Sequence, residues 1–174
     1  MSDLSPREFL RGVHFDPTSI DPSQRRFMMN GLFISHSGID TSRIRRLISP
    51  ITQPRFVPDG AFLHSRSSGG PEGYRELVQA ALHFSASFLL VLSRASLANE
   101  WVHAEVEWVL ERPRPFLLAL FDDSDWETFR SELQLPPGAA VRPPSPVIDF
   151  RVDERRGAEH LAAALDALPV KYQY

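Results

Sequence analysis

The stretch FLLVLSRASLANEWVHAEVEWVL, residues 88–110, decides the fold class of this chain. Its first five residues are all apolar, and a short apolar run without alternation is typical of a strand buried on both faces of a parallel sheet. From Trp101 to Leu110, apolar residues recur at helical spacing. A buried strand followed within a few residues by an amphipathic helix predicts one β-α unit of an α/β domain.

The same alternation of strands and helices extends in both directions. Apolar runs predict buried strands at Leu32 to Ile34 and Phe116 to Phe121, and shorter strands bounded by turn residues at Ala61 to Leu63 and Val147 to Phe150. Five strands separated by helices predict a doubly wound α/β fold, with a five-stranded parallel sheet in the order 2-1-3-4-5. Three further amphipathic helices are predicted by the stripes Ile44, Leu47, Ile48, Ile51; Tyr74, Leu77, Val78, Ala81; and Leu161, Ala164, Leu165, Leu168.

Length and composition predict a single domain. The chain has 174 residues, of which 43% are hydrophobic, enough for one core of ordinary size and too few for a second full domain. Residues 1–28 carry weak structure signals and are interpreted as an N-terminal extension of a domain over residues 29–174. The proline-rich segment Pro136 to Pro146 is predicted to be a surface loop.

Several classes of partner and cofactor are not expected. The 19 basic and 22 acidic residues are spread along the chain with a net charge of -3, so no nucleic-acid partner is predicted. There is no cysteine, and the six histidines lack metal-site spacing, so no metal site is predicted. The N-terminal region has no apolar leader, and the apolar runs are too short to span a bilayer, so we expect a cytoplasmic protein without membrane contact.

A ligand site is expected beyond the carboxyl ends of the first and third strands, because the connections leave in opposite directions there. The two loops at this place, residues 35–40 and 93–99, are rich in small polar groups that can hold phosphate or ribose oxygens. The alternative for Ser37 and Asp40 is that each merely caps the first helix.

Glu105 is the sharpest candidate residue. At about 100° per residue it falls on the same helix face as Trp101, among apolar side chains, where a bare carboxylate would cost several kcal/mol. Such an acid must be paired, protonated or directed at a cavity, and an ion pair with an arginine is the alternative to a functional role. The opposite arc of the helix is predicted to be a solvated surface and holds Glu100, His103, Glu107 and Glu111.

These two segments resemble known motifs. Phe33-Ile34-Ser35-His36-Ser37 followed by Asp40 resembles the first box of TIR domains, and Leu90-Val91-Leu92-Ser93 followed by Trp101 and Glu105 is similar to their third strand and Trp-x-x-x-Glu helix. The resemblance covers about residues 31–168 and includes stand-alone bacterial TIR proteins of antiphage defence such as those of Thoeris systems. It implies a flavodoxin-like fold.

The resemblance also implies an activity. Enzymatic TIR domains cleave the nicotinamide-ribose bond of NAD+, which is a substrate here rather than a cofactor, and Glu105 stands at the position of their catalytic glutamate. Nicotinamide leaves as a neutral molecule, so one carboxylate suffices without a general acid. The products would be nicotinamide plus ADP-ribose or a cyclic ADP-ribose isomer, or a base-exchanged dinucleotide. The resemblance implies substrate contacts from Ser35, His36, Ser37, Trp101, and Tyr74 after the loop 65–73.

Two functions of different kinds remain open. Many TIR domains are adaptors that act only by associating with other TIR domains, and the fold does not separate them from enzymes. The placement of Glu105 beside Trp101 favours the enzyme, since an adaptor has no need of an acid on an apolar face. Enzymatic TIR domains commonly self-associate, so we expect TIR-TIR contacts, with a separate effector or sensor protein as a further partner. For Tyr74, the alternative to ligand stacking is ordinary core packing.

Overall fold

A computed structural model describes residues 4–12, 31–52, 61–63 and 74–168. The strands run parallel, and neighbours in the sheet follow the order β2-β1-β3-β4-β5. The predicted α/β class with a parallel sheet is thereby confirmed, and every predicted strand is present within a residue or two. The strands are β1 (Leu32–Ser35), β2 (Ala61–Leu63), β3 (Ser87–Leu92), β4 (Phe116–Leu120) and β5 (Val147–Asp149).

Helices connect the strands on both faces of the sheet. The predicted stripe from Ile44 to Ile51 forms two helices rather than one, because Pro50 lies in the first turn of the second helix and has no N–H to continue the first. The helices are α1 (Pro6–Gly12), α2 (Thr41–Leu47), α3 (Ser49–Thr52), α4 (Tyr74–Phe84), α5 (Arg94–Leu97), α6 (Glu100–Leu110), α7 (Trp126–Ser131) and α8 (Glu154–Asp166).

The sheet divides the core into two layers, because successive residues of a strand point to opposite faces. Phe33 and Leu90 lie in the layer that contains α1, α4 and α6, and the rings of Phe33 and Phe88 stack there at 5.5 Å between centroids. Ile34 and Leu89 lie in the layer that contains α2 and α8. Burial on both faces accounts for the uninterrupted apolar sequence of β1, β3 and β4.

Part of the predicted N-terminal extension packs onto the domain. Residues 6–12 form α1, although the sequence there carries weak structure signals, and Phe9 and Leu10 are buried in the same core layer as α6. Residues 13–30 lie outside the described residues. The segment Pro136 to Pro146 forms neither helix nor strand, which confirms the predicted loop.

Candidate functional site

The carboxyl ends of β1 and β3 are neighbours in the sheet, and the loops that follow them meet there. The chain leaves β1 toward one edge strand and leaves β3 toward the other, so this is the switch point at which such sheets place a ligand crevice between two loops. Ser35 ends β1, and Ser93 follows β3 as the N-cap of α5. The place expected from the sequence is therefore where the polar loops converge.

Glu105 and Ser35 meet inside this crevice. Ser35 Oγ donates a hydrogen bond to Glu105 Oε2, and the two residues are 0% and 1% exposed, respectively. No ion pair among the described residues involves Glu105, so the alternative of an arginine partner is wrong for this part of the chain. The other carboxyl oxygen, Oε1, is buried and has no hydrogen-bond partner in the part of the chain that the structure describes.

Burial changes the charge state of Glu105. Loss of hydration raises the pKa of its carboxyl from 4.5 to about 8, and the hydrogen bond from Ser35 opposes this only in part. The carboxyl is therefore mainly neutral at neutral pH in this conformation. An anionic role for Glu105 requires that the crevice open or that a ligand favour the ionised form.

The two residues after Ser35 are satisfied within their own loop. His36 Nδ1 lies 3.0 Å from the carbonyl oxygen of Ile34, and its Nε2 lies 3.2 Å from Thr41 Oγ1. Burial lowers the pKa of the His36 imidazole, which favours a neutral ring. Ser37 Oγ accepts a hydrogen bond from the N–H of Ile39 and caps a single 3-10 turn. Of these three predicted contacts, only Ser35 hydrogen-bonds to Glu105 in this conformation.

A second hydrogen bond joins the two loops. Ser93 Oγ donates to Asp40 Oδ2 at 2.5 Å, while Ser93 and Ser96 form a reciprocal capping box at the start of α5. Asp40 occupies the N-cap of α2 but makes no capping bond with its side chain. Ser37 thus caps the 3-10 turn that precedes α2 rather than α2 itself, and Asp40 caps neither with its side chain. Sequence reasoning missed the Ser93–Asp40 pair, because nothing local indicates a bond between residues in different loops.

Of the two aromatic residues predicted to contact the substrate, Trp101 has a described side chain and Tyr74 does not. Trp101 begins the first turn of α6, which Asn99 caps by accepting from the N–H groups of Trp101 and Val102. The Trp101 ring is partly buried and lies against Phe9 of α1, with ring centroids 6.2 Å apart. Tyr74 begins α4, and its side chain, together with the loop 65–73, lies outside the described residues.

The opposite arc of α6 is buried in part, which corrects one prediction. Glu100 and Glu111 are exposed as expected, but His103 and Glu107 are buried. The physical reason is α1, which packs along this arc and excludes solvent from it. Nothing in the sequence of α6 indicates that α1 packs against it.

Glu107 is held by an extensive set of donors. Arg7 Nε donates to both carboxyl oxygens at 3.0 and 3.2 Å, and Arg11 Nη2 donates to Oε2 at 3.3 Å. The backbone N–H of Gln134 donates to Oε1 at 2.7 Å. Arg7 Nη2 also lies 3.3 Å from His103 Nδ1. A buried carboxylate with this many donors is satisfied, which distinguishes Glu107 from Glu105.

The cavities that the structure shows among its described residues lie away from Glu105. Two cavities of about 140 and about 530 Å³ lie beside α1, and Glu105 lines neither of them. Within the described ranges, no three acidic or histidine side chains are grouped as a metal site would need. Within those ranges, no helix has the length and apolarity needed to cross a bilayer.

Comparison of the chain with protein-family models, curated proteins and solved structures finds no match.

Proposed function

We propose that this chain is a TIR domain with a flavodoxin-like fold and that it cleaves the nicotinamide-ribose bond of NAD+, with Glu105 as the catalytic residue. The observation that supports this most is the hydrogen bond from Ser35 to Glu105 at the carboxyl edge of β1 and β3. Two separate sequence motifs thereby contribute side chains to one crevice, at the place where parallel α/β sheets bind ligands.

The chemistry requires Glu105 in its ionised form. As C–N cleavage proceeds, positive charge moves from the pyridinium ring to the ribose, and a nearby carboxylate stabilises it electrostatically. Ser35 positions that carboxylate by donating to Oε2. Nicotinamide leaves as a neutral base, and water or a group of the same nucleotide then attacks the ribose. The outcome is ADP-ribose or a cyclic ADP-ribose isomer.

The remaining contacts are proposed for an open form of the crevice. His36, Ser37 and Trp101 flank Ser35 and Glu105, and Tyr74 begins the helix that follows the loop after β2. Because Glu105 is 1% exposed, substrate reaches it only after the loops move apart. Association between copies of the chain is the proposed cause of this movement. A role in antiphage signalling, with a separate effector or sensor, rests on the motif resemblance alone.

Nicotinamide release by the concentrated protein, with a crowding agent to promote assembly, tests the enzyme proposal. We expect release from wild type, none from Glu105→Gln, and unchanged release from Glu111→Gln, because Glu111 is an exposed acid at the end of the same helix. Chromatography of the nucleotide products distinguishes hydrolysis from cyclisation. Equal release from wild type and Glu105→Gln would exclude Glu105 as the catalytic residue.

An adaptor that acts by TIR-TIR association is the second candidate. The exposure of two apolar side chains favours it: Ile39 is 83% exposed after β1, and Val152 is 93% exposed after β5. Both follow carboxyl ends of strands, at the same edge of the sheet, where a second copy could cover them. Light scattering of wild type and Ile39→Asp tests this. Self-association that depends on Ile39, without nicotinamide release at any concentration, would favour the adaptor.

A further inference from the structure

Glu105 Oε1 is a buried polar atom without a hydrogen-bond partner among the described residues. Oε2 accepts from Ser35, whereas no described residue donates to Oε1, and Glu105 is 1% exposed. An unsatisfied buried acceptor costs about 1–3 kcal/mol, and few such groups occur in folded proteins. At a topological switch point, where sheets of this kind bind ligands, this atom is a buried polar group available to a ligand once the loops move apart.

The described surroundings of Glu105 contain no cation that could stabilise its negative charge. Its bonded neighbour, Ser35, is neutral, and the His36 ring is engaged by the Ile34 carbonyl and Thr41. The nearest titratable residues on its own helix, His103 and Glu107, contact Arg7 of α1 on the opposite arc. Asp40, in the adjoining loop, accepts from Ser93. The carboxyl therefore keeps its proton in the closed crevice, and burial raises its pKa to about 8.

We propose that Glu105 Oε1 binds a positively charged group of the ligand and that this binding expels one proton from Glu105 to solvent. The inference rests on the proposed function and specifies its substrate class: N-ribosides whose base carries a positive charge. The proton balance is simple, since neutral Glu105 and a cation give a carboxylate paired with the cation, and the proton passes to the buffer. A cation next to a desolvated carboxyl favours ionisation strongly, because their attraction is poorly screened in the interior.

Selection by charge follows from this coupling. Oxidised NAD carries a pyridinium cation, whereas reduced NAD has a neutral dihydropyridine ring and otherwise the same sugars, phosphates and adenine. A neutral ring provides nothing to replace the proton at Oε1. The site would therefore distinguish the two redox forms at the binding step, before any bond is broken, and the distinction would depend on pH.

Binding of the carbocyclic analogue of oxidised NAD measures the coupling directly. This analogue keeps the pyridinium charge and lacks the ribose ring oxygen needed for cleavage. Titration calorimetry in buffers with different ionisation enthalpies counts the protons released. With a pKa of about 8, we expect close to one proton per ligand at about pH 7 and few above about pH 9. The affinity should rise about tenfold over the same range, because only the ionised form binds.

Three controls make the result specific. Glu105→Gln, which is isosteric and keeps an acceptor for Ser35 but has no charge to pair with the cation, should bind the analogue much more weakly, without proton release and with an affinity independent of pH. Ser35→Ala should shift the rise in affinity to higher pH, because the Ser35 hydroxyl lowers the pKa of Glu105. Reduced NAD should release no proton. A thermal melt of each variant checks that it is folded.

The outcomes separate this inference from the proposed function. Binding that releases no proton at about pH 7, in a preparation that cleaves NAD+ through Glu105, overturns the inference and leaves the enzyme proposal intact. Proton release that persists in Glu105→Gln also overturns it, because another group is then responsible. A protein that neither binds the analogue nor releases nicotinamide overturns both.

Discussion

Ser35 and Glu105 are 70 positions apart in the chain, yet Ser35 Oγ donates its hydrogen bond to Glu105 Oε2 inside the core. The pair joins the last residue of β1 to the middle of α6. The other oxygen of the carboxyl has no partner among the described residues, and burial keeps the group mainly neutral at neutral pH although the bond from Ser35 opposes this. Stability, pH dependence and activity should therefore all respond to changes at these two residues.

The stability of the protein should fall with rising pH because of Glu105. Its folded-state pKa, about 8, lies above the value of 4.5 in the unfolded chain, so the folded state binds more protons between these values. The stabilising contribution is complete below about pH 4.5 and is lost as pH rises through about 8. Relative to Glu105→Gln, wild type should lose up to several kcal/mol of unfolding free energy across this window. Urea unfolding of both proteins at about pH 5 and pH 8.5 measures the difference, and parallel pH profiles would contradict a raised pKa.

Removal of the Ser35 hydroxyl should raise the pH needed for activity. The hydroxyl lowers the pKa of Glu105, so Ser35→Ala should shift the midpoint of the pH-rate profile for nicotinamide release upward. We also expect a rate at neutral pH that is roughly fivefold lower or more, the effect of losing about 1 kcal/mol of hydrogen bonding. Ser85→Ala is the matched control, since Ser85 is also a buried serine and its Oγ donates to the carbonyl oxygen of Ala81, before β3. A midpoint that moves equally in both variants would attribute the shift to general destabilisation.

The local sequence pattern is sufficient to predict the strands and the face of α6 that carries Glu105. The apolar runs of β1, β3 and β4 reflect burial on both faces of the sheet. Each run therefore predicts a buried strand without information from the rest of the chain. The position of Glu105 follows from helical geometry alone, given Trp101 one turn earlier. The break between α2 and α3 is also local, because it follows from Pro50.

Contacts between distant segments could not be predicted in this way. The arc with His103 and Glu107 looks solvated in the sequence of α6, and only packing of α1, about 100 residues earlier, makes it buried. Seven residues of helix give too short a pattern to reveal an amphipathic face. The ring of His36 is likewise engaged by Thr41 through a turn that motif resemblance does not describe.

The bond between Ser93 and Asp40 should couple the two loops of the crevice. Ser93 Oγ, in the loop after β3, donates to Asp40 Oδ2, in the loop after β1, at 2.5 Å. Because the acceptor is a carboxylate, we expect a coupling energy of about 1–2 kcal/mol between Ser93→Ala and Asp40→Ala in a double-mutant cycle of urea unfolding. Additive effects would mean that the bond contributes nothing. Faster hydrogen exchange in residues 35–40 of Ser93→Ala would show that the bond holds the crevice closed.

The two arginines of α1 should contribute very differently to stability, although both bond to Glu107. The Arg7 side chain is 16% exposed, and loss of its charge leaves the buried Glu107 without its main partner, so Arg7→Ala should cost about 3–5 kcal/mol. Arg11 is 52% exposed, and Arg11→Ala should cost about 1 kcal/mol or less. Detachment of α1 would also separate Phe9 from Trp101 and expose that indole to water. We therefore expect red-shifted tryptophan emission in Arg7→Ala and not in Arg11→Ala, with urea unfolding giving the energies. Equal effects of the two substitutions would mean that α1 is held by Phe9 and Leu10 rather than by its buried ion pair.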